Sequence, residues 1–362
     1  MLKLAPIFVE IAKEGRTSSI LARWDKMQMP AHTAYRARRL RDFPVVAAGS
    51  APGYEPIFNA GLLVHDGVYH LFARGVRNGY RANPEGTPRF LDYVSDILVY
   101  DSPDGLDYRF RYVLANAGLP EIQALEDPRV QRVRNGDGHD HLIITYTHLP
   151  AGGHMPWRIG ANRLTYVPEA KRFLFDDSTG RLIGPAGIAN KDAVLFNLAD
   201  GRVALLHRIH PNIQVAVFDS LEHLWDADHA YWDAHIAELE RHTILTPSPG
   251  ATAVGAGAPP VMTSEGLLLF FHERRADGAY TVNAALLDAE SGRTIARLPE
   301  PVLEPELPWE RTGDVNNVVF VQGAHRRGED EIYLTYGAAD RSVGAAVASE
   351  RQLLDALAAA RV

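Results

Sequence analysis

The sequence predicts an all-β fold, a five-bladed β-propeller with an N-terminal arm and a short C-terminal helix. Three observations carry that prediction. The 362 residues include 30 glycines and 23 prolines, more than the average share of about 12% for the pair, which favours many turns and short strands. Helical periodicity is convincing only near the two ends and over residues 232–241. Between them, a plan of apolar strand, Gly-containing turn and apolar strand recurs. The residues Asn59, Asp127, Asp192, Pro259 and Asn316 open successive inner strands at steps of roughly 57–68 positions, a spacing that fits five units of four strands.

Residues 1–50 form the arm, helix-tolerant in composition, with a basic cluster at Arg36, Arg38, Arg39 and Arg41 that reads as a solvated face packing on the main body or on a second subunit. Residues 51–349 form the propeller. In "NAGLLVHDGVYHLFARG", Asp66-Gly67 is a strong two-residue hairpin signal. The segments "VRNGDGHDHLIITYTHL", "KDAVLFNLADGRVALLHRI", "PPVMTSEGLLLFFHER" and "NNVVFVQGAHRRGEDEIYLTYGAAD" repeat the plan, and "SDILVYDSPDGLDYRF" is an example of the outer strands between them. Residues 75–93, with Tyr80, Arg81, Phe90 and Tyr93, read as a lid. Residues 350–362, "ERQLLDALAAARV", form the C-terminal helix; it and the arm offer contacts for a homo-oligomer. A two-sheet sandwich is the alternative architecture. It places polar residues less naturally at matching points of every unit.

Composition removes several functional classes. With 37 Lys+Arg against 45 Asp+Glu, the net charge is −8, which argues against a nucleic-acid partner, since phosphate contacts demand a basic surplus. Cysteine is absent, so disulfides and thiolate metal sites are excluded. Glu10, Lys13 and Glu14 interrupt any secretory leader, and no window approaches the ~18 uncharged apolar residues of a membrane span. A cytoplasmic protein with no membrane partner is expected.

In a propeller the residues opening the innermost strands line a central funnel. Asn59, Asp127, Asp192 and Asn316 therefore converge on one cavity, with Asp192 assigned to substrate binding. Asp127 stands in "LEDPRV", where a carboxylate beside Pro can also simply cap a turn. A second set is basic: Lys191 before Asp192, Arg208 closing the partner strand after His207, and His272 closing the equivalent strand one unit later. Lys, Arg and His on adjacent inner hairpins suit an oxyanion such as phosphate. His139, His141, His148 and His154 lack the spacing of a zinc site, and no metal is expected. "GAGAPP" at 255–260 leads into a strand, so it offers no helix N-terminus to a phosphate.

Taken in order, the motifs resemble glycoside hydrolase family 130, the mannoside phosphorylases and related β-mannosidases, over residues 58–349. They are "FNAG" at 58–61, Arg74 closing "HLFAR", "SDILVYDSPDG" at 95–105, "EDPR" at 126–129, "KDAVLF" at 191–196, "LLHR" at 205–208, "GAGAPP", "FFHE", "GDVNNVVF" at 313–320 and "YGAAD" at 336–340. The resemblance implies a five-bladed propeller acting on an oligosaccharide or glycoside by inverting phosphorolysis. In that reading Asp127 is the general acid. Asn59, Arg74, Ser95 and Asp340 hold the mannosyl ring, and Lys191, Arg208 and His272 hold phosphate. No resident cofactor is implied, because inorganic phosphate is the co-substrate and already an anionic nucleophile, so no second carboxylate is needed as base. The resemblance also implies that the proton passes through a sugar hydroxyl.

Three departures stand out: Glu273 follows His272 where the family's phosphorylases usually carry Gly, the tail reads "TYGAAD" in place of a double Tyr, and residues 151–172 match poorly. If His272 points into the funnel, strand alternation turns Glu273 away from it. Two other readings share the scaffold. One is a hydrolase in which Glu273 or Asp192 activates water; the other is a non-catalytic propeller that binds carbohydrate or protein.

Overall fold

The structure, a computed structural model, describes residues 35–118, 120–151 and 156–361. The helical content expected before residue 35, and His154, lie outside the described residues. Among the described residues the chain is mostly β, with short helices confined to the connections and the C-terminal end.

Each expected hairpin is present. Tyr54–His65 pairs with Val68–Arg77, and the turn between them places Asp66 and Gly67 at φ 49° and 74°, the left-handed geometry that matches strand twist. Ile122–Arg134 pairs with Asp140–Pro150, Lys191–Asn197 with Val203–Arg208, and Val319–Arg327 with Glu331–Ala338. In the fourth unit the inner strand is Ala251–Ala256, paired with Gly266–Arg275. The expectation that Pro259 opens this strand is corrected: "GAGAPP" begins inside it, and Val261–Thr263 continues along the same partner. The helical signal over 232–241 corresponds to the helices His229–Ala237 and Leu239–His242, and the C-terminal helix spans Glu350–Ala359.

Strands belonging to the first two units share one nine-stranded sheet, joined by a single parallel pairing of Ser95 with Ala124. The third and fifth sheets have four strands each, and the fourth has five. The inner strands pack on one another in order. Tyr54–His65 lies against Ile122–Arg134, which lies against Lys191–Asn197, which lies against Ala251–Ala256; Val319–Arg327 lies against Gly266–Arg275 and also against Tyr54–His65.

Among the described residues, five apolar clusters lie between hairpin units that neighbour one another. Phe72, Ile97 and Ile144 lie between the first and second, and Val133, Leu195 and Phe218 between the second and third. Leu206, Val254 and Phe271 lie between the third and fourth, and Phe270, Val319 and Leu334 between the fourth and fifth. Ile57, Leu98 and Tyr333 lie between the fifth and first. Because both faces of most strands are covered, they read as near-continuous apolar runs rather than alternating ones.

The part of the arm from Tyr35 onward packs on the body. Arg38–Arg39 forms a short strand against Ser342–Ser349, pairing Arg38 with Val347. Arg39 Nε lies 2.7 Å from Glu310 Oε1, and Tyr336 donates its hydroxyl to the same oxygen at 2.8 Å. Glu310 is fully buried, so Arg39 supplies the charge that a buried carboxylate needs. The basic cluster is thus tied down in part: Arg36 pairs with Glu304 and Arg41 with Asp107.

Candidate active site

The first three inner hairpins carry a bulge at the same place. The register slips between Phe58 and Ala60, between Glu126 and Arg129, and between Lys191 and Val194. At each slip a non-glycine residue adopts a left-handed backbone: Asn59 at φ 46°, Asp127 at 50° and Asp192 at 55°. A bulge leaves its extra residue out of the ladder and re-aims its side chain, and Asn and Asp tolerate this backbone better than other residues. The sequence therefore places short polar side chains at three matching mouths. All three are buried.

Asn59 and Asp127 meet directly, the Asn59 amide donating to Asp127 Oδ1 at 2.8 Å. Arg74, opposite Phe58 in the ladder, reaches the same oxygen at 3.2 Å, donates to Tyr93 at 2.5 Å and closely contacts Glu126. Its guanidinium stacks over Phe58 at 4.8 Å and Tyr93 at 5.3 Å. Burial works against ionisation of Asp127, but Arg74, Lys191, Arg129 and the Asn59 hydrogen bond outweigh it and hold the carboxyl below its ordinary value. Glu126 moves the other way, raised chiefly by burial and, against the pull of Arg74, by its Asp127 neighbour. Asp340 has a left-handed backbone at φ 54°. Burial and the Asp127 charge, opposed by Arg74, push its carboxyl up to about 7.

Asp192 organises the basic side. Arg129 reaches its Oδ1 at 3.3 Å, Arg208 Nε lies 3.1 Å from Oδ2, and His272 Nε2 lies 3.5 Å from Oδ2. Despite the burial penalty, Arg208, His272 and Lys191 hold Asp192 well below the usual carboxylate range. Gly255 faces His272 across the ladder, and a methyl group there would strike both His272 and Asp192. Only glycine leaves the pair room to meet.

Lys191 sits directly opposite Arg208 in the ladder. Among the described residues no carboxylate lies within salt-bridge distance of its ammonium, whose packing partner is the Trp157 ring at 5.5 Å. Burial, then Arg208, lowers its proton affinity. The expectation of three cations is corrected for His272: burial outweighs Asp192 and pushes the imidazole down to about 4. It is neutral at pH 7, packed against Phe320 with ring centres 4.0 Å apart and planes tilted by 32°, and can offer an N–H rather than a charge.

Several polar atoms around this space are buried without a hydrogen-bond partner: Asn59 Oδ1, Arg74 Nε, Asp192 Oδ2, both His272 ring nitrogens and Gln322 Oε1. The contacts of Arg208 and His272 at Asp192 Oδ2 are therefore close approaches, not aligned hydrogen bonds. Unpaired buried polar atoms are costly unless something else meets them.

Other expected residues lie differently. Ser95 is fully buried and donates its hydroxyl to the Leu125 carbonyl at 3.1 Å, linking the first two units behind the site. Asn316 is exposed, its side chain accepting from Gly313 N in a surface turn. The residue at the fifth unit's bulge is Gln322, which donates to the Pro128 carbonyl at 3.0 Å. Glu273 does face away from His272, contacting Arg297 and accepting from Ser248 N at 2.9 Å. Arg129 was not singled out as a site residue. Fully buried, it donates to the Asp127, Ala256 and Gly257 carbonyls, all at 2.9 Å, besides reaching Asp192. In the 75–93 segment, Tyr80 contacts Asp314 and packs against Phe90 and Tyr93.

The model of glycoside hydrolase family 130, described as beta-1,4-mannooligosaccharide phosphorylase, matches residues 31–359. The chain belongs to glycoside hydrolase family 130. A 1,2-beta-oligomannan phosphorylase of Thermoanaerobacter sp. (strain X514) is 30% identical over 321 residues, 86% of this chain and 97% of that relative. The beta-1,2-mannobiose phosphorylase of the same organism is 30% identical over 88% of this chain and 99% of its own length. Among solved structures, the beta-1,2-mannobiose phosphorylase of Listeria innocua in complex with beta-1,2-mannobiose superposes with a TM-score of 0.68 at 20% identity, covering 89% of this chain and 99% of that one. The family-130 motifs supply Asn59, Arg74, Asp127, Lys191, Asp192, Arg208 and His272, and the fold gathers them. No helix among the described residues is long and apolar enough to cross a membrane.

Proposed function

We propose that this family-130 chain is an inverting β-mannoside phosphorylase built on a five-bladed β-propeller, releasing α-mannose 1-phosphate. Five inter-unit apolar clusters, the last joining the fifth unit to the first, support the blade count. The observation that carries the activity is the Lys191–Arg208 pair. Like charges directly opposite in a ladder repel; Arg129, Arg208 and Lys191 lie around Asp192, and Asp127 and Glu126 add further negative charge near Lys191. An anion between the two facing cations relieves that repulsion. A water molecule does not.

Phosphate held by Lys191, Arg208 and the His272 N–H attacks the anomeric carbon from the face opposite the leaving oxygen. Asp127 provides the proton, relayed through a sugar hydroxyl, while Asn59, Arg74 and Asp340 hold the mannosyl ring. Asp127 is ionised in the free site because nearby cations, Lys191 among them, stabilise its charge. Phosphate neutralises that influence, so the carboxyl gains proton affinity as the co-substrate arrives. Hydrolysis is less well supported. Asp192 is held by Arg129, Arg208 and His272 as a very weak base, and Glu273 lies on the other face of its strand.

The test is incubation with β-1,2- and β-1,4-linked mannosides, with and without inorganic phosphate. Phosphate-dependent appearance of α-mannose 1-phosphate is expected. Equal release of free mannose in phosphate-free buffer overturns the reading.

A further inference from the structure

Each of the two facing cations follows a buried polar residue in the chain. Asn190 immediately precedes Lys191, and His207 immediately precedes Arg208. Both are buried. The Asn190 amide nitrogen and oxygen lie 3.1 and 3.3 Å from His207 Nδ1, and His207 Nε2 lies 3.0 Å from His235 Nε2. His235 belongs to the helix His229–Ala237, outside the four-stranded sheet. Its ring stacks on His242 with centres 4.0 Å apart, and Trp232 closes the edge of His207 at 5.8 Å. On its other side, Asn190 donates its backbone N–H to the Trp157 carbonyl at 3.1 Å, the residue whose ring supports Lys191.

Two imidazole nitrogens that face each other at this distance are bonded only when one carries a proton and the other does not. If Asn190 donates to Nδ1, His207 holds its single proton on Nε2 and donates to His235, and both His207 nitrogens are satisfied. Burial, joined by mutual repulsion among the histidines, favours this uncharged arrangement: His235 is pushed to about 4, and His207 is held well below the usual imidazole value. The pair is not a metal site, since no group of three or more His, Cys, Asp or Glu among the described residues is placed to hold an ion.

A strand sends successive side chains to opposite faces. His207 and Arg208 therefore leave their strand on opposite faces, and Asn190, the residue just before the strand Lys191–Asn197, is fastened to His207; that bond holds Lys191 and Arg208 at a set separation where like charges would otherwise drive the two apart. We propose that His207, clamped between Asn190 and His235, is a positioning residue that fixes the spacing of Lys191 and Arg208 for a single oxyanion. The inference rests on the phosphorylase reading.

The experiment measures the KM for phosphate and the KM for a β-mannoside separately, with calorimetric binding of inorganic phosphate in the absence of sugar. Full-length wild type, His207→Phe, His207→Gln and His235→Phe are compared. For His207→Phe the phosphate KM rises at least tenfold and calorimetric affinity falls in parallel, while the mannoside KM stays within about twofold. His235→Phe shows a smaller change of the same sign. His207→Gln, whose carboxamide can accept from Asn190 and donate to His235, recovers most of the loss. An unchanged phosphate KM in a folded His207→Phe, an equal rise in both KM values, or a Gln variant no better than Phe overturns the proposal. If His207→Phe does not fold, His235→Phe decides, because it leaves the cationic hairpin unaltered: a phosphate KM that rises more than the mannoside KM supports the proposal, and an unchanged phosphate KM or an equal rise in both overturns it. A wild type without phosphate-dependent turnover overturns the functional reading; indifferent variants of a phosphate-dependent wild type overturn only this inference.

Discussion

The Asn59 amide donates to Asp127 Oδ1 across 2.8 Å, joining two residues that both hold a left-handed backbone on neighbouring inner strands. Asp127 is thereby oriented by a side chain from a different hairpin. Replacing Asp127 by Asn is expected to lower kcat by about 10²–10⁴-fold, the usual scale of general-acid catalysis, with phosphate affinity retained. Asn59→Ala removes a hydrogen bond from a buried carboxylate and is expected to destabilise the fold by about 1–3 kcal/mol, read by chemical denaturation, while raising the proton affinity of Asp127.

Lys191→Met removes one of the two facing charges. The phosphate KM is expected to rise by about 10–100-fold, corresponding to the ~1.5–3 kcal/mol of a hydrogen bond to a charged group, with little change in the mannoside KM. Losing a cation near Asp127 also raises that carboxyl's pKa. The basic limb of the kcat/KM profile, where the acid loses its proton, therefore moves to higher pH. A basic limb that stays in place shows that Asp127 is not the titrating acid.

Asp340 binds its proton more tightly folded, at about 7, than at its ordinary 3.8. A group whose folded pKa is raised favours the native state while protonated, so its contribution is complete below about 3.8 and is lost as the pH rises through about 7. Asp340→Asn should abolish this decline and melt higher than wild type at pH 8, with turnover impaired by loss of the proposed sugar contact. Melting curves between pH 5 and 8 check the sign.

Glu273→Gln discriminates between the two catalytic readings. Glu273 is paired with Arg297 on the face opposite His272, so the variant is expected to keep kcat and both KM values within about twofold while losing about 1–3 kcal/mol of stability. A loss of turnover of 100-fold or more would instead place Glu273 in the chemistry.

The inner hairpins were readable because their signals are local. Asp66-Gly67 dictates its own turn, and the orientation of Glu273 follows from the alternation of a regular strand. Asn316 and Pro259 were misplaced because the bulge, not the strand's first polar residue, decides what enters the space, and a bulge is a relation between two strands. Arg129 was overlooked as a site residue for a related reason: three of its four partners are backbone carbonyls, which carry no residue-type signal, and two of these come from residues 256 and 257. The charge of His272 was misjudged since its neutrality depends on burial against Phe320 and neighbouring sheets.

The pairing of Arg38 with Val347 also sets a timetable. During synthesis, at roughly 5–20 residues per second, the strand at 38–39 emerges tens of seconds before Ser342–Ser349 exists to receive it. Meanwhile Arg39 has no Glu310 to neutralise. The last sheet therefore cannot be completed on the ribosome in the order in which its strands appear, and the early units must stay soluble with one flank uncovered until the final strands arrive.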